Sequence, residues 1–380
     1  MPPPDAPLTW LRDAVWPLWL DQGVDWPRRG YHESLALDGS GCAVPFRRLR
    51  VAARQVFTFA EAHAAGLPRA AEAVELGVGF LLGRARQADG GYARRFGLDG
   101  AVIDDHRDLY DHAFVLLALA SASRVMPAEP LRREALGLME YLDRGFRHPL
   151  GGYVEGLPPS LPRRQNPHMH LLEACLAGFE AFGEAVFLER AGELVRLFLS
   201  RLLDAGTGTL PEVFDEAFTP LREAGRHEVE PGHHCEWVWL LDWYRRASGP
   251  TEGSEKAVRA LLGFVDRHAV NAATGTLRDV LWSDGAVKEA GSRLWPQTER
   301  LKSEALRPDS SPEGRDRARA ALWRHIEGAP AGLWFERLDA AGRPLDMPAP
   351  ASSLYHLTAG ILVAHRAGPG ADVIGSAAGV

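Results

Sequence analysis

Apolar side chains recur along most of the chain at the three- and four-residue spacing that is typical of amphipathic helices. One run, FRRLRVAARQVFTFAEAHAAG, places Leu49, Ala53, Val56 and Phe57 on a single stripe, and a second run, PRAAEAVELGVGFLLGRARQ, follows it directly. This two-helix pattern recurs along the chain until the last run, PASSLYHLTAGILVAHRA, whose expected partner is the N-terminal LTWLRDAVWPLWL. The pattern predicts about twelve helices arranged as six hairpins.

A short phrase of glycine and apolar residues separates the helical pairs. It occurs as DGSGCAVPF, ADGGYARRF, PLGGYVEG, AGTGTLPEVF, ATGTLRDV and APAGLWFERL. Recurrence of one phrase at a nearly regular interval indicates a supersecondary unit stacked on copies of itself. The extended segments are too short and scattered to build a sheet.

These patterns predict an all-α fold, an (α/α)6 barrel formed by a ring of six helical hairpins, as a single domain over residues 1–380. A closed ring buries every apolar stripe, and it needs none of the polar capping repeats that an open solenoid requires. Such a ring encloses a central cavity.

Composition and charge exclude two classes of partner. The 380-residue chain carries a net charge of −7 and no long basic run, which predicts that it does not bind nucleic acid. No apolar stretch approaches the roughly 18–20 residues that span a bilayer, so we expect no membrane segment.

The N-terminus and the cysteines favour a reducing, cytoplasmic location. MPPPDAPLTW lacks the basic start and apolar core of a secretion signal. Cys42, Cys175 and Cys235 form no CxxC pair and no even disulfide framework.

Residues with catalytic chemistry collect in the first turns of the even-numbered helices. They are Arg47, Arg48, Arg50 and Arg54; Asp108, Tyr110 and His112; Asn166, His168 and His170; His233, His234 and Glu236; Trp295, Gln297, Glu299 and Lys302; and Tyr355 and His356. In a barrel of this kind the alternate helices form a parallel inner ring, so their N-terminal ends should converge at one mouth of the cavity. Six helix N-termini also place partial positive charge there, which favours anionic groups or intermediates.

Periodicity leaves one ambiguity in these clusters. Successive helix positions diverge by about 100°, so His168 and His170 cannot both face the cavity. The same holds for His233 and His234, and the spacing alone does not decide which member of either pair points inward.

A metal or organic cofactor has little support in the sequence. His233 and Glu236 match part of a carboxylate-bridged two-metal pattern, but the second Glu-x-x-His that this pattern needs is missing. HExxH, the phosphate-binding loop and the dinucleotide fingerprint are also absent. The sequence therefore predicts no metal and no cofactor.

Two reactions suit a cavity lined by histidines, carboxylates, an arginine and aromatic residues. Glycoside cleavage needs two carboxylates that flank a bond. Proton abstraction beside a carbonyl needs bases that titrate near neutrality and a cation for the enediolate oxygen. Several histidines stand against only two well-flanked acids, Glu236 and Glu299, and this ratio favours proton transfer.

Six segments resemble the N-acylglucosamine 2-epimerase superfamily. They are RQVFTFAEAH, DLYDHAF, NPHMHLLEA, EPGHHCEW, LWPQTERLK and LYHLTAG, in this order over nearly the whole chain. Members of that superfamily are (α/α)6 barrels, and they include N-acylglucosamine, cellobiose and mannose 2-epimerases and aldose–ketose isomerases that act on mannose.

The resemblance implies roles for ten residues. As substrate-binding residues it implies Arg54, Tyr110, His112, Asn166, His170 and Trp295. As catalytic residues it implies His356, His233, Glu236 and Glu299, with His170 and His233 as the inward members of their pairs.

The family mechanism implied for this chain opens the sugar ring, removes the C2 proton and forms a cis-enediolate. His356 would be the base that moves the proton between C2 and C1, and His233 would assist ring opening and proton exchange at the oxygens. In an epimerase His233 would also reprotonate C2 from the opposite face. Glu236 and Glu299 would orient or polarise the histidines, and Arg54 would steady the oxyanion.

One departure leaves the substrate open. The run PAPASSLYH places small Ser352 and Ser353 ahead of the final histidine, where many relatives carry Lys, Gln or Trp. We expect a monosaccharide substrate and mannose–fructose isomerisation, by a monomer or homodimer. The alternatives are a 2-epimerase of mannose or glucose, of N-acylglucosamine or of a β-1,4-disaccharide, and an isomerase of a hexose 6-phosphate that uses spare arginines at the mouth. A glycosidase and a non-catalytic sugar-binding protein are alternatives from other classes.

Overall fold

The computed structural model describes residues 2–41 and 44–367, so Cys42 lies outside the described residues. Twelve helices form in this part of the chain, four of which continue through π-type or short α-helical turns. They are α1 (Ala6–Trp10, continued by Leu11–Val15, Trp16–Leu18 and Trp19–Gly23), α2 (Leu49–Ala64), α3 (Ala70–Phe80, continued by Leu81–Ala85), α4 (Leu109–Ala122), α5 (Ala128–Gly145), α6 (Asn166–Phe182), α7 (Ala185–Leu197, continued by Phe198–Leu202), α8 (Pro231–Ser248), α9 (Ser254–Phe264, continued by Val265–Ala269), α10 (Leu294–Leu306), α11 (Pro312–Trp323) and α12 (Ala351–Arg366).

The even-numbered helices form a closed inner ring. They contact one another in the order α2, α4, α6, α8, α10 and α12, and α12 returns to α2. Each of α3, α5, α7, α9 and α11 packs outside the inner helix that precedes it in the chain, and α1 packs outside α12. Trp16 links α1 to α12, since its Nε1–H donates to Oγ1 of Thr358 over 3.2 Å. The predicted all-α (α/α)6 barrel and its six hairpins are confirmed.

Burial explains why the two rings differ in sequence. The outer helix α5 buries Leu131, Ala135, Leu138 and Leu142 on one face and exposes charged residues on the other. The inner helix α4 is surrounded by other helices, and all of its residues from Asp111 to Ala122 are buried. A helix surrounded in this way has to be apolar on nearly every side, so the few polar residues that it buries require a reason.

The expectation that the extended segments would build no sheet is wrong. In the described residues they form seven antiparallel sheets of two or three short strands. The strands are β1 (Val24–Asp25), β2 (Gly30–Tyr31), β3 (Ser34–Leu35), β4 (Phe46–Arg48), β5 (Arg95–Gly97), β6 (Val102–Asp104), β7 (Arg107–Asp108), β8 (Gly156–Leu157), β9 (Arg163–Arg164), β10 (Val213–Phe214), β11 (Glu228–Val229), β12 (Val280–Trp282), β13 (Val287–Glu289), β14 (Ser292–Arg293), β15 (Arg337–Leu338) and β16 (Ala349–Pro350).

These small sheets tie the starts of the inner helices together. The strand that leads into each inner helix pairs with a strand of the next unit, as β4–β5, β7–β8, β9–β10, β11–β12 and β14–β15, and the pair β16–β3 closes the circle. At α4, for example, the first helical N–H, of Leu109, donates to the carbonyl of Glu155 in the next unit over 2.8 Å. Because the first N–H groups of a helix have no partner within it, such bonds satisfy them and hold the helix starts at one end of the barrel.

Two further expectations concern the membrane and the cysteines. Within residues 2–41 and 44–367 no helix combines the length and the apolar character that crossing a bilayer requires. Cys175 and Cys235 are free thiols, and both are buried among the helices.

Candidate active site

A cavity of about 280 Å³ lies where the six inner helices begin. Its lining comprises Arg54, Tyr110, Asn166, His170, Glu230, His233, Glu236, Arg293, Trp295, Glu336, Ser352, Ser353 and His356. Every inner helix contributes to this lining, so the structure brings eight of the ten predicted site residues together. Of the other two, Glu299 lies directly behind His356, and His112 lies elsewhere.

A buried carboxylate holds His356, on α12. The Nδ1–H of His356 donates to Oε1 of Glu299 over 2.9 Å, and the other oxygen of Glu299 lies 2.6 Å from Nζ of Lys302. Burial, followed by the positive charges of Arg54 and Lys302, lowers the pKa of His356 well below its usual value. The imidazole is therefore neutral at pH 7, and Nε2 is its proton-accepting nitrogen.

His233, on α8, has the opposite electrostatic environment. Its Nδ1–H donates to Oε2 of Glu212 over 2.9 Å, and its Nε2 lies 3.1 Å from the side-chain amide of Asn166, whose oxygen is the acceptor for a protonated Nε2–H once the amide is flipped. Burial lowers the pKa of His233, but the carboxylates of Glu212 and Glu230 outweigh burial and raise the pKa to about 9. At pH 7 His233 is therefore protonated, whereas His356 is not.

Trp295, on α10, lies between these two histidines. The centre of its ring system is 4.9 Å from the ring of His233 and 5.6 Å from the ring of His356. This position depends on Gly232, because a Cβ atom there would lie 2.5 Å from the indole. The Pro231–Gly232 pair at the start of α8 thus leaves room for the indole beside both histidines.

His170 and Glu236 face each other from α6 and α8. Glu236 Oε1 lies 3.8 Å from Nδ1 of His170, and neither oxygen of Glu236 has a hydrogen-bond partner among the described residues. The Nδ1–H of His170 donates to Glu173 over 3.0 Å, and the hydroxyl of Tyr355 donates to the other oxygen of Glu173. Burial lowers the pKa of His170 to about 4. Burial and the charge of Glu299 raise the pKa of Glu236 well above its usual value.

Arg54, on α2, brings a cation to the cavity. Its guanidinium donates to the hydroxyl of Tyr110 over 2.6 Å and to the carbonyl of Ser352 over 3.3 Å. It also lies 4.1 Å from the centroid of the Phe114 ring. These partners are uncharged, so its positive charge is available to an oxyanion in the cavity.

The prediction that His112 binds substrate is contradicted by its position. Nε2 of His112 accepts a hydrogen bond from the backbone N–H of Tyr92 over 3.0 Å, and its Nδ1–H donates to the carbonyl of Asp108 over 2.6 Å. Both nitrogens are occupied by backbone groups, and burial lowers the pKa of this histidine to about 4.

Three other first-turn residues bind backbone in the same way. They accept from a backbone N–H inside the glycine phrase, as His168 does from Tyr153, His234 from Leu210 and Gln297 from Leu277, over 2.9–3.0 Å. We refer to His112, His168, His234 and Gln297 as the loop-holding residues.

Since His168 and His234 face the loops, the other member of each histidine pair, His170 and His233, lines the cavity, as the resemblance implied.

Several carboxylates of the site were not predicted. We expected Glu236 to orient His233, but the carboxylate bound to His233 is Glu212, and Glu173 binds His170. Glu230 and Glu336 also line the cavity. Glu212 lies inside the phrase AGTGTLPEVF, and Glu173 follows His170 by three residues, so both stood in segments that the sequence already marked.

Among residues 2–41 and 44–367, three groups of side chains have a geometry that could hold a metal ion. They are His170, Glu173 and Glu236; Glu212, Glu230 and His233; and Glu236, Glu299 and His356, with candidate ligand atoms within 4.8 Å of one another in each group. In each group a histidine Nδ1–H already donates to a carboxylate. The carboxylates can therefore orient the histidines for proton transfer as well as serve as ligands.

The fold and the cavity fit the class of sugar-active enzymes that are built on an (α/α)6 barrel. The profile described as N-acylglucosamine 2-epimerase (GlcNAc 2-epimerase) matches residues 30–360, and the chain belongs to that family. The chain is thus a sugar isomerase or epimerase, as the resemblance indicated.

Two relatives have names that describe isomerases. The chain is 36% identical over 367 residues to the mannose-6-phosphate isomerase of Rhizobium meliloti (strain 1021), an alignment that covers 93% of this chain and 94% of the relative. It is 30% identical over 264 residues to the D-mannose isomerase of Thermobifida fusca, with 61% and 63% covered.

Solved structures agree on the fold. Cellobiose 2-epimerase from Spirochaeta thermophila DSM 6192 superposes with a TM-score of 0.85 at 23% identity, and 96% of each chain is covered. A D-mannose isomerase also superposes with a TM-score of 0.85, at 21% identity, with 94% of this chain and 97% of the other covered. At these identities the likeness concerns the fold alone.

Proposed function

We propose that this protein interconverts an aldose and its ketose, D-mannose and D-fructose, by histidine-mediated proton transfer through a cis-enediolate. The observation that carries the proposal is the pair His356 and His233, which border one indole and have pKa values shifted in opposite directions. Two titratable groups whose pKa values are pushed apart in one cavity are suited to act as base and acid.

His356 is the base in this proposal. Its Nε2 takes the proton from C2 of the open-chain aldose and returns it to C1, on the same face of the enediolate. Glu299 fixes the ring through Nδ1 and stabilises the imidazolium that forms when Nε2 accepts the proton. A base with a lowered pKa remains unprotonated over the whole neutral range, and it is therefore ready to accept.

His233 and Arg54 handle the oxygen atoms. His233, protonated through Glu212, donates to the ring oxygen during opening and exchanges a proton with the carbonyl oxygen of the substrate. Arg54 lacks a carboxylate partner among the described residues, so its charge stabilises the enediolate oxygen. Asn166, His170, Tyr110 and Trp295 surround the sugar, and catalysis needs no metal.

Charge in the cavity favours an uncharged hexose. Arg293 pairs with Glu230 at 2.7 Å and with Asp279 at 3.1 Å, so it has little charge left for a phosphate. Glu336 adds a third carboxyl to the lining, after Glu230 and Glu236. A cavity of about 280 Å³ lies at the small end of the roughly 300–1,000 Å³ that is typical of ligand pockets, which suits a monosaccharide.

A hexose 6-phosphate is the second candidate substrate, because the relative from Rhizobium meliloti is named for mannose 6-phosphate and aligns over 93% of this chain. A 2-epimerase would use the same groups but return the proton to C2 from the opposite face. The cytoplasmic location and the monomeric or homodimeric state remain predictions.

The experiment is a proton NMR time course in deuterated water with mannose, glucose, fructose and the corresponding 6-phosphates. We expect fructose to form from mannose with solvent deuterium at C1, and kcat/KM for mannose to exceed that for mannose 6-phosphate by at least about tenfold, or about 1.4 kcal/mol. Glucose formed from mannose without fructose would show an epimerase instead. No exchange with any of these sugars, or full activity after His356→Ala, would overturn the proposal.

A further inference from the structure

Lys302 belongs to a buried cluster beside the cavity, with Glu173, Glu236, Glu299, His170 and His356, and the proposed reaction gives it no role. It lies on α10, it is fully buried, and its Nζ is 3.4 Å from the centre of the Trp239 ring system. Its only carboxylate partner within the described residues is Glu299, at 2.6 Å. A buried ammonium is costly unless it is paired, so its presence beside the catalytic pair needs a reason.

The cluster holds more acids than cations. Three carboxyl groups, Glu173, Glu236 and Glu299, are buried around His170 and His356, and the two histidines are neutral at pH 7. The cations that act on this group are Lys302, Arg54 and the protonated His233, and the charge of His233 is matched by Glu212, to which its Nδ1–H donates. The other two cations face three carboxylates, which leaves one negative charge in excess, and burial makes an excess charge expensive. The cluster therefore retains one proton on a carboxyl group.

Hydrogen bonding decides which carboxyl group carries that proton. Oε1 of Glu299 accepts from the Nδ1–H of His356, and Oε2, which makes no hydrogen bond, lies 2.6 Å from the ammonium of Lys302 in an ion pair, so each oxygen faces a donor or a cation. Both oxygens of Glu173 accept hydrogen bonds, one from His170 and one from a tyrosine. Glu236 has no donor on either oxygen within residues 2–41 and 44–367.

We infer that Lys302 is a positioning residue, which keeps Glu299 ionised against His356 and thereby leaves Glu236 as a neutral carboxylic acid that points into the cavity. The role of His356 as a base rests on the proposed function, whereas the protonation states of Glu236 and Glu299 do not depend on it. Burial raises the pKa of both Glu236 and Glu299; the direct ion pair with Lys302 opposes the rise at Glu299, whereas the charge of Glu299 adds to the rise at Glu236. A neutral Glu236 supplies a hydrogen-bond donor to a sugar oxygen, which a carboxylate cannot.

Infrared difference spectroscopy at neutral pH tests the protonation states without any substrate. A protonated carboxyl group has a carbonyl band that a carboxylate lacks. We expect wild type to show one such band, Glu236→Asp to shift its frequency, and Glu299→Asp, which keeps the same number of acids, to leave it in place. A band that shifts in Glu299→Asp and not in Glu236→Asp, or no band in the wild type, would overturn the assignment, whatever sugar the enzyme uses.

Lys302→Met tests the positioning role. With the cation gone, Glu299 should also become protonated, and a second carboxylic band should appear. We expect kcat for the preferred sugar to fall by about 10²-fold, within the range for lost acid–base catalysis, while KM changes less than about threefold. Unchanged kcat and no new band would contradict the role of Lys302.

The double variant Lys302→Met with Glu299→Gln covers the case in which the single variant does not fold. Removing both members of a buried ion pair is often neutral for stability, whereas removing one member is not. We expect the double variant to unfold closer to the wild-type temperature than Lys302→Met does, and to lack the second band. A double variant that is less stable than Lys302→Met would show that Lys302 acts on something other than Glu299.

Discussion

Two sets of side chains occupy the same helical turns of the inner ring, yet they have different environments. The cavity-facing histidines His170, His233 and His356 each donate through Nδ1 to a carboxylate. The loop-holding residues, such as His168 two positions before His170, bond to backbone groups instead. In this ring the partner of a histidine, more than the histidine itself, determines its chemistry.

The two sets differ in direction by a fixed amount. Each loop-holding residue except His112 precedes a residue of the active site by two positions, as His168 precedes His170, His234 precedes Glu236 and Gln297 precedes Glu299. Two helix positions correspond to about 200°, so one member faces the glycine phrase when the other faces the cavity.

The largest expected contrast is in activity. His356→Gln should lower kcat by about 10²–10⁴-fold, because the base that accepts the C2 proton is lost. His168→Gln, the matched change in the loop-holding set, should keep kcat within about threefold of wild type, because its partners are backbone groups. Steady-state kinetics on the preferred sugar provide the comparison. Similar losses in both variants would remove the distinction between the two sets.

The next contrast is in pH dependence, with opposite signs for His233 and His112. The pKa of His233 is raised from 6.5 to about 9, so its contribution to stability is fully present below pH 6.5 and is lost as the pH rises through 9. The pKa of His112 is lowered to about 4, so its contribution is present above pH 6.5 and is lost as the pH falls through 4. Each shift corresponds to roughly 3 kcal/mol.

Urea unfolding of wild type, His233→Gln and His112→Gln from pH 4 to pH 10 measures both effects. The difference in free energy of unfolding between wild type and His233→Gln should decrease toward high pH. The corresponding difference for His112→Gln should decrease toward low pH. If the two differences changed with pH in the same direction, the environments of His233 and His112 would not differ as described.

A smaller effect is expected from deleting a loop-holding side chain. His168→Ala leaves the buried N–H of Tyr153 without its acceptor, which should lower the free energy of unfolding by about 1–3 kcal/mol. His168→Gln should restore most of this loss, because Gln297 already makes the equivalent bonds, accepting from Leu277 and donating to the carbonyl of Arg293. Equal losses for Ala and Gln would show that packing, and not the hydrogen bond, is what His168 supplies.

The smallest effect should come from Gln297→His, which installs the histidine that three other units use. We expect the free energy of unfolding to change by less than about 1 kcal/mol and kcat to stay near the wild-type value. A large loss, measured by the same urea titration and kinetics, would show that the four loop-holding positions are not equivalent.

The fold was largely readable from the sequence because an apolar stripe and a recurring phrase are properties of the chain itself. The inner ring follows from them, and so does the convergence of Arg54, Asn166 and His356. Glu212 could not be assigned in that way. It reaches His233 because β9 pairs with β10 and brings the glycine phrase beside α8, a contact set by tertiary structure.

The outward position of His112 was predictable in principle. It stands in the first turn of its helix, as His168 and His234 do, and in all three units a residue inside the glycine phrase supplies the N–H. The protonation of Glu236 is a different matter, since it depends on how three carboxyl groups and two cations from four helices come together.

The most direct test of the central claim, that His356 moves one proton between C2 and C1, uses mannose labelled with deuterium at C2. In ordinary water the account predicts fructose that retains part of the label at C1 and has lost the rest to solvent, because the deuteron rests on Nε2 of His356 between the two steps. His356→Gln should abolish the transfer. Complete retention of the label with no exchange would indicate a hydride shift, and it would contradict proton transfer by this histidine.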